Sequence, residues 1–197
     1  MKAIRWASSV KKALTRGVFP PEMSFFLELP WRNLLLSPQK LSSRLDLTNT
    51  SQVLEVGAGS GFYSVEIARR ISTGRLELLD LQPEMLDKAR RKLEAAGLFN
   101  VGYTLADAGD LPLEADSFDL VFLVAVLGEI ADQEAFLRQT HRVLKFGGIL
   151  SISEHLPDPD FSPFAKVKSL VEKEGFEFFE RYGTKWSYTV NFKKTCR

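Results

Sequence analysis

The chain has 197 residues, of which 45% are hydrophobic and 26% charged, and its formal net charge is +1. That length suits one domain able to bury a full core without disulfides or metal, and the balance is that of a soluble globular protein. No apolar run is long enough to cross a bilayer, and a charge near neutral argues against a dedicated nucleic-acid binder.

In chain order, the first fifty residues stand apart. The stretch MKAIRWASSVKKALTRGVF carries Lys2, Arg5, Lys11, Lys12 and Arg16, with no acid before Glu22. Ile4, Ala7, Val10, Leu14 and Val18 fall near one helical face. Three readings follow: a lid helix packed on the domain, a helix resting on a membrane surface, or a targeting segment without an apparent cleavage signal. The lid is preferred, so residues 1–50 are taken as a helical extension that caps the substrate side and residues 51–197 as the main domain.

From residue 52 onward, short β-branched runs alternate with helical patterns, the signature of a parallel sheet with helices on its faces. Gln52 to Val56 reads as the first strand. A turn with glycine at positions 57, 59 and 61 leads into a helix marked by Val65, Ala68 and Ile71. Arg75 to Asp80 reads as the second strand. Pro83 suits a first helical turn and Gly97 a helix stop, which predicts a helix over residues 83–96. Residues 101–106 form the third expected strand. After a loop rich in Asp, Gly and Pro, FDLVFLVAV is apolar on both faces, as a central parallel strand should be. Asp132 is placed to cap a helix through Leu144, and Gly147 and Gly148 are expected to turn the chain into the fifth strand, ILSIS. A helix opened by Ser162 and Pro163 and closed by Gly175 precedes two last strands, FEFFERY and WSYTVNF. The link between these two is too short for a crossover helix, so one of them runs antiparallel. Their aromatic residues Phe176, Phe178, Phe179, Trp186 and Tyr188 are expected in the core. The expected fold is α/β, a doubly wound, mostly parallel sheet of seven strands with one antiparallel strand near its C-terminal edge.

The lone cysteine, Cys196, offers neither a disulfide framework nor a thiol cluster, which fits a reducing cytoplasm. His141 and His155 lack a second ligand at metal-binding spacing, so no metal is expected.

In an open parallel sheet, ligands bind beyond the carboxyl ends of the strands. Gly57, Gly59 and Gly61 are placed there, although a tight turn with no ligand has the same pattern. A dinucleotide fingerprint needs a small residue where this chain has Phe62. Glu55 would also set a negative charge near a pyrophosphate, whereas a cationic ligand would welcome it. Asp80 ends the second strand, where a carboxylate can accept bonds from both ribose hydroxyls. Asp107 follows one strand further along the same edge. Each acid alone could instead cap a turn.

These residues together resemble the class I S-adenosylmethionine-dependent methyltransferases. The quotes that carry it are VLEVGAGSG, LLDLQPEMLDKA, ADAGDLPLEADSFDLVFL and HRVLKFGGILSISE, all between Ser51 and Pro157. The nearest branch is the small-molecule one related to ubiquinone and menaquinone biosynthetic methyltransferases. The resemblance implies S-adenosylmethionine as cofactor, with the loop of Gly57, Ala58, Gly59 and Gly61, together with Glu55, around its methionine end. It implies Asp80 on the ribose, Asp107 by the adenine amine, Leu81 and Ala108 lining the adenine, and a backbone contact at Leu123. Phe146 departs from the proline that the family usually carries in the following turn.

Methyl transfer is an in-line displacement, and much of its rate comes from holding the reacting atoms in line. Where the nucleophile is a hydroxyl or an acidic carbon, a base helps. Glu129, just after the fourth strand, is the candidate, against the plainer reading of an exposed acid near a helix start. Glu154 and His155, at the end of the fifth strand, are weaker candidates. The expected activity is methyl transfer to a small, lipophilic molecule. The alternatives are a binding protein that keeps the fold and cofactor without transfer, and an NAD(P)-dependent oxidoreductase, which Phe62 and Glu55 disfavour.

Overall fold

The computed structural model describes residues 36–195. The expectations for the basic N-terminal segment and for Cys196 lie outside those residues.

The elements are α1 (Pro38–Ser42), β1 (Gln52–Val56), α2 (Ser64–Arg70), β2 (Arg75–Asp80), α3 (Pro83–Ala95), β3 (Val101–Leu105) and β4 (Phe118–Val124). They continue with a one-turn 3₁₀ helix (Leu127–Glu129), α4 (Gln133–Val143), β5 (Leu144–His155), α5 (Phe164–Lys173), β6 (Phe176–Gly183) and β7 (Ser187–Lys194). Seven strands form one sheet in the order β3-β2-β1-β4-β5-β7-β6. β1 to β5 pair in parallel, and β7 runs against both of its neighbours. The chain winds outward from β1 to β3 and then returns to lay β4 on the other side of β1. The switch point between β1 and β4 is therefore where a crevice opens.

Both faces of the sheet are covered. Leu54, Val121, Ile152 and Val190 meet Phe136, Leu137 and Val143 of α4 and Val167 and Val171 of α5. On the other face Val53, Leu76, Leu78 and Phe122 meet Leu41 of α1, Ile67 and Ala68 of α2, and Leu86, Ala89 and Leu93 of α3. The part of residues 1–50 that is described thus belongs to this core: Leu36, Leu41 and Leu45 are fully buried. Arg44 Nη1 donates to Thr189 Oγ1 of β7 at 2.8 Å.

Local chemistry sets the element ends. Gly97 follows α3 at φ +72°, and its N–H and that of Leu98 bond back to Glu94 O and Leu93 O, the paired bonds of a glycine-terminated helix. Asp132 caps α4 by accepting from Ala135 N at 2.8 Å.

Three expectations need correction. β5 begins at Leu144, before the glycine pair and not after it. Its register against β4 jumps between Phe118 and Leu120, and Gly147, at φ +73°, lies in the intervening bulge. The turn is present, but inside a strand. β3 stops at Leu105, so Asp107 lies in the following loop. Finally, Phe176 and Tyr188 are buried and Phe178 is half-buried, but Phe179 and Trp186 are exposed. Phe179 takes an outward position in the in–out alternation that runs along β6 from Phe176, and Lys193 Nζ sits 3.7 Å from its ring centroid. Trp186 falls in the turn that joins β6 to β7, beside Lys185.

Candidate functional site

The glycine turn, the end of β2 and the start of the β3–β4 loop are tied into one cradle by backbone bonds. Gly57 N and Ala58 N both donate to Leu79 O, at 2.8 and 3.2 Å. Gly59 N donates to Asp80 Oδ2 at 2.8 Å, and Gln82 N donates to Asp80 Oδ1 at 2.9 Å. Ala106 N donates to Asp80 O at 3.2 Å, which brings the Asp107 segment beside Asp80. Gly57, Gly59 and Gly61 all adopt positive φ, a conformation that costs L side chains energy and glycine little.

The turn is closed from the β4 side. A Cβ at Gly57 would come within 2.6 Å of Val126 Cγ2, just after β4. Between them Ala125 holds φ +55°, a left-handed conformation rare for a residue with a side chain. The β1–β4 register ends at Glu55 and Phe122, so Leu123 is the first β4 residue past the paired stretch. Its side chain is buried in the core.

The acids differ in their surroundings. Asp80 is 8% exposed, and burial raises its pKa above the usual carboxylate value while the N–H groups of Gln82, Gly59 and Leu81 pull it back. An ionised carboxylate offers about four lone-pair sites. These N–H groups therefore leave Asp80 with acceptor capacity. Glu55 is buried under the first turn of α2, where its Oε2 accepts from Ser64 Oγ at 2.6 Å. Asp107 is exposed, and its Oδ1 accepts from Gly109 N at 2.7 Å. Leu81, just after β2, is half exposed, and Ala108, in the loop after β3, is half-buried.

Glu129 closes the 3₁₀ turn after β4 and is half-buried, not an exposed acid at a helix start. Glu154 and His155, at the end of neighbouring β5, are both buried. The two strand ends meet through Gly128, whose position leaves no room for a side chain against Asp160 of the loop after β5.

The cradle fits S-adenosylmethionine better than a pyrophosphate. Glu55 already places a carboxylate at the start of α2, where a phosphate would have to bind. Phe62 fills its position with a ring packed edge-on against Tyr63 at 4.9 Å. Ser60 Oγ is buried within the glycine turn and has no hydrogen-bond partner. A buried hydroxyl left unmade is costly unless a ligand completes it.

Three contributors were beyond sequence reasoning: Val126, whose contact with Gly57 depends on β4 lying next to β1; Ser60, whose burial depends on the fold of the turn; and Arg142, described below. A small polar residue inside a glycine turn was the one available signal, for Ser60.

Residues 53–148 match the methyltransferase domain family, and the sheet order and the positive-φ glycine turn agree with that match. Over part of its length the chain is similar to the ubiquinone/menaquinone biosynthesis C-methyltransferases. The Vibrio vulnificus enzyme of that name is 36% identical over 118 residues, covering 59% of this chain and 45% of its own. The chloroplastic 2-methyl-6-phytyl-1,4-hydroquinone methyltransferase 1 of Oryza sativa subsp. japonica is 35% identical over 137 residues, 67% of this chain and 40% of its own. The chain thus spans about half the length of the curated relatives it matches. Among solved structures, an S-adenosylmethionine-dependent methyltransferase from Aquifex aeolicus superposes with a TM-score of 0.84. It shares 24% identity, with 90% of this chain and all of the other covered.

Proposed function

We propose that this chain transfers a methyl group from S-adenosylmethionine to a small, lipophilic acceptor. The observation that carries the reading is the closed cradle at the β1–β4 switch point, with Asp80 bonded to Gly59 and a buried, partnerless Ser60 hydroxyl in the same turn. When bound, the cofactor supplies an electrophilic methyl on a sulfonium centre. Glu55 and the backbone of Gly57, Ala58, Gly59 and Gly61 enclose its methionine end, where carboxylate charge favours a cation. Asp80 accepts from the ribose hydroxyls, Leu81 and Ala108 flank the adenine, and Asp107 accepts from its amine. The backbone of Leu123 lines the crevice floor. Glu129, on the turn next to the Gly57–Val126 contact, takes the proton of a hydroxyl or acidic-carbon nucleophile as it attacks.

The relatives named for ubiquinone, menaquinone and phytylhydroquinone chemistry support an aromatic, lipophilic acceptor. Two measurements test the proposal. Calorimetry with S-adenosylmethionine, S-adenosylhomocysteine and NAD should give binding to the first two alone, and NAD binding in their place would return the oxidoreductase reading. Methyl-labelled cofactor supplied with fractionated cell extract should then leave label in an organic-extractable small molecule. Cofactor binding with no labelled product from any fraction would favour a binding protein.

A further inference from the structure

The loop between β3 and β4 carries Asp107 and Ala108, yet it has little regular structure of its own. Its shape comes from α4. Arg142, in the last turn of that helix, donates from Nη2 to Leu111 O at 2.7 Å and from Nη1 to Leu113 O at 2.8 Å. Gln139, one turn earlier, accepts from Arg142 Nε and Nη2 at 3.0 and 2.8 Å, which fixes the plane of the guanidinium. The far end of the loop bonds to the same place, because Asp116 N donates to Arg142 O and Ser117 N to Val143 O. At the near end, the Gly109 position lies against Ala135 Cβ of α4. A planar fork with fixed donors can hold two carbonyls at a set spacing, which a lysine ammonium cannot do.

We propose that Arg142 is a positioning residue for recognition of the adenine end of the cofactor, acting through Leu111 O and Leu113 O on the loop that carries Asp107. The inference rests on the cofactor reading above. Asp107 Oδ1 is committed to Gly109 N, so the direction of its second oxygen depends on how that loop is held. With the loop fixed, the carboxylate meets an adenine amine and rejects a carbonyl oxygen at the same position. Once Arg142 is lost, the loop adapts and discrimination falls, while the glycine turn keeps the methionine end.

The test compares S-adenosylhomocysteine with S-inosylhomocysteine, in which a carbonyl oxygen replaces the amine, by calorimetry on the wild type, Arg142→Ala, Arg142→Lys and Gln139→Ala. The wild type should favour the adenine ligand. Arg142→Ala should cut that ratio about tenfold, corresponding to about 1.4 kcal/mol. Arg142→Lys should also lose most of the ratio, and Gln139→Ala a smaller part. In activity assays the KM for cofactor should rise with kcat at saturating cofactor little changed. If both ligands weaken equally in the variants, or the ratio stays at the wild-type value, Arg142 is a structural residue and the inference is overturned. If Arg142→Ala does not fold, Arg142→Lys decides by the same ratio. A wild type that binds neither ligand overturns the cofactor reading itself, a result distinct from unchanged selectivity.

Discussion

Two of the buried carboxylates at the carboxyl edge of this sheet, Asp80 and Glu154, lie in opposite halves, and they are treated differently. Asp80, at the end of β2, has an N–H on each oxygen. Glu154, at the end of β5, has one: Ser162 N donates to Oε2 at 3.1 Å, and Oε1 is buried with no partner. Burial pushes Glu154 up to about 7, and the charges of Asp158 and Asp160 add to this, against the Ser162 N–H and the charge of Lys166. Tyr188 is close enough for Glu154 to help raise its pKa, and its hydroxyl donates to Ser162 O at 2.6 Å. The difference teaches that position at a strand end does not set the state of an acid. Converging backbone N–H groups do, because each one replaces water that burial removed.

The comparison is broken most severely at the turn that supplies those N–H groups. Gly57→Val forces a β-branched residue into φ +69° and into Val126. We expect about 1–2 kcal/mol from the left-handed backbone and about 1–3 kcal/mol from overpacking. S-adenosylmethionine binding should be lost. Urea unfolding and calorimetry check both, and a stable variant with normal affinity would remove the turn from the site.

The next effect belongs to Glu154. Its folded pKa is raised, so the folded protein binds the proton more tightly than the unfolded chain does. Its contribution to stability is then full below about 4.5, falls as pH rises through about 7, and stays low above that. The range is up to about 3 kcal/mol at about 1.4 kcal/mol per unit. Glu154→Gln should therefore unfold at higher urea than the wild type at pH 8 and lose that advantage by pH 5. Parallel stability curves for the two proteins between these limits would show that Glu154 is ionised in the fold.

Asp80→Ala sharpens the other half. It removes the acceptor for Gly59 N and Gln82 N and the proposed ribose contacts, each charged bond being worth about 1.5–3 kcal/mol at most. With water entering the gap, a loss of about tenfold to a hundredfold in cofactor affinity is expected by calorimetry. An unchanged Kd in a folded variant would confine Asp80 to holding the turn. Ser60→Ala should have the smallest effect, and of mixed sign. Deleting a buried hydroxyl with no partner leaves the free protein as stable or up to about 1 kcal/mol more so. Cofactor affinity should fall by less than about tenfold. Equal affinity would mean that the hydroxyl does not face the ligand.

Much of the fold was legible because its signals are local. β1 and β2 have the expected bounds, since each is a short run dominated by Val and Leu and stopped by a turn residue or a glycine. The helix from Pro83 is found one residue short of its expected end, because proline and glycine act through their own backbone. The short link before β7 was enough to require one reversed strand. Where neighbours decide, local reading failed. The glycine pair at 147 and 148 became a bulge because β4 and β5 pair on both sides of it. Phe179 and Trp186 lie outside the core because the alternation along β6 and a turn, not hydrophobicity, set which way they point.

The sequence by itself determined the alternation of strands and helices, the glycine turn and the spacing of Glu55 and Asp80 on β1 and β2 and of Asp107 just past β3. These are written in residue type and period, which act over a few positions. Only the tertiary structure decided which groups meet: Val126 on Gly57, Arg142 on the carbonyls of Leu111 and Leu113, and Ser162 N on one oxygen of Glu154 but nothing on the other. Hydrogen-bond saturation and burial are properties of elements brought together from distant parts of the chain, and they separate two carboxylates that look equivalent as letters.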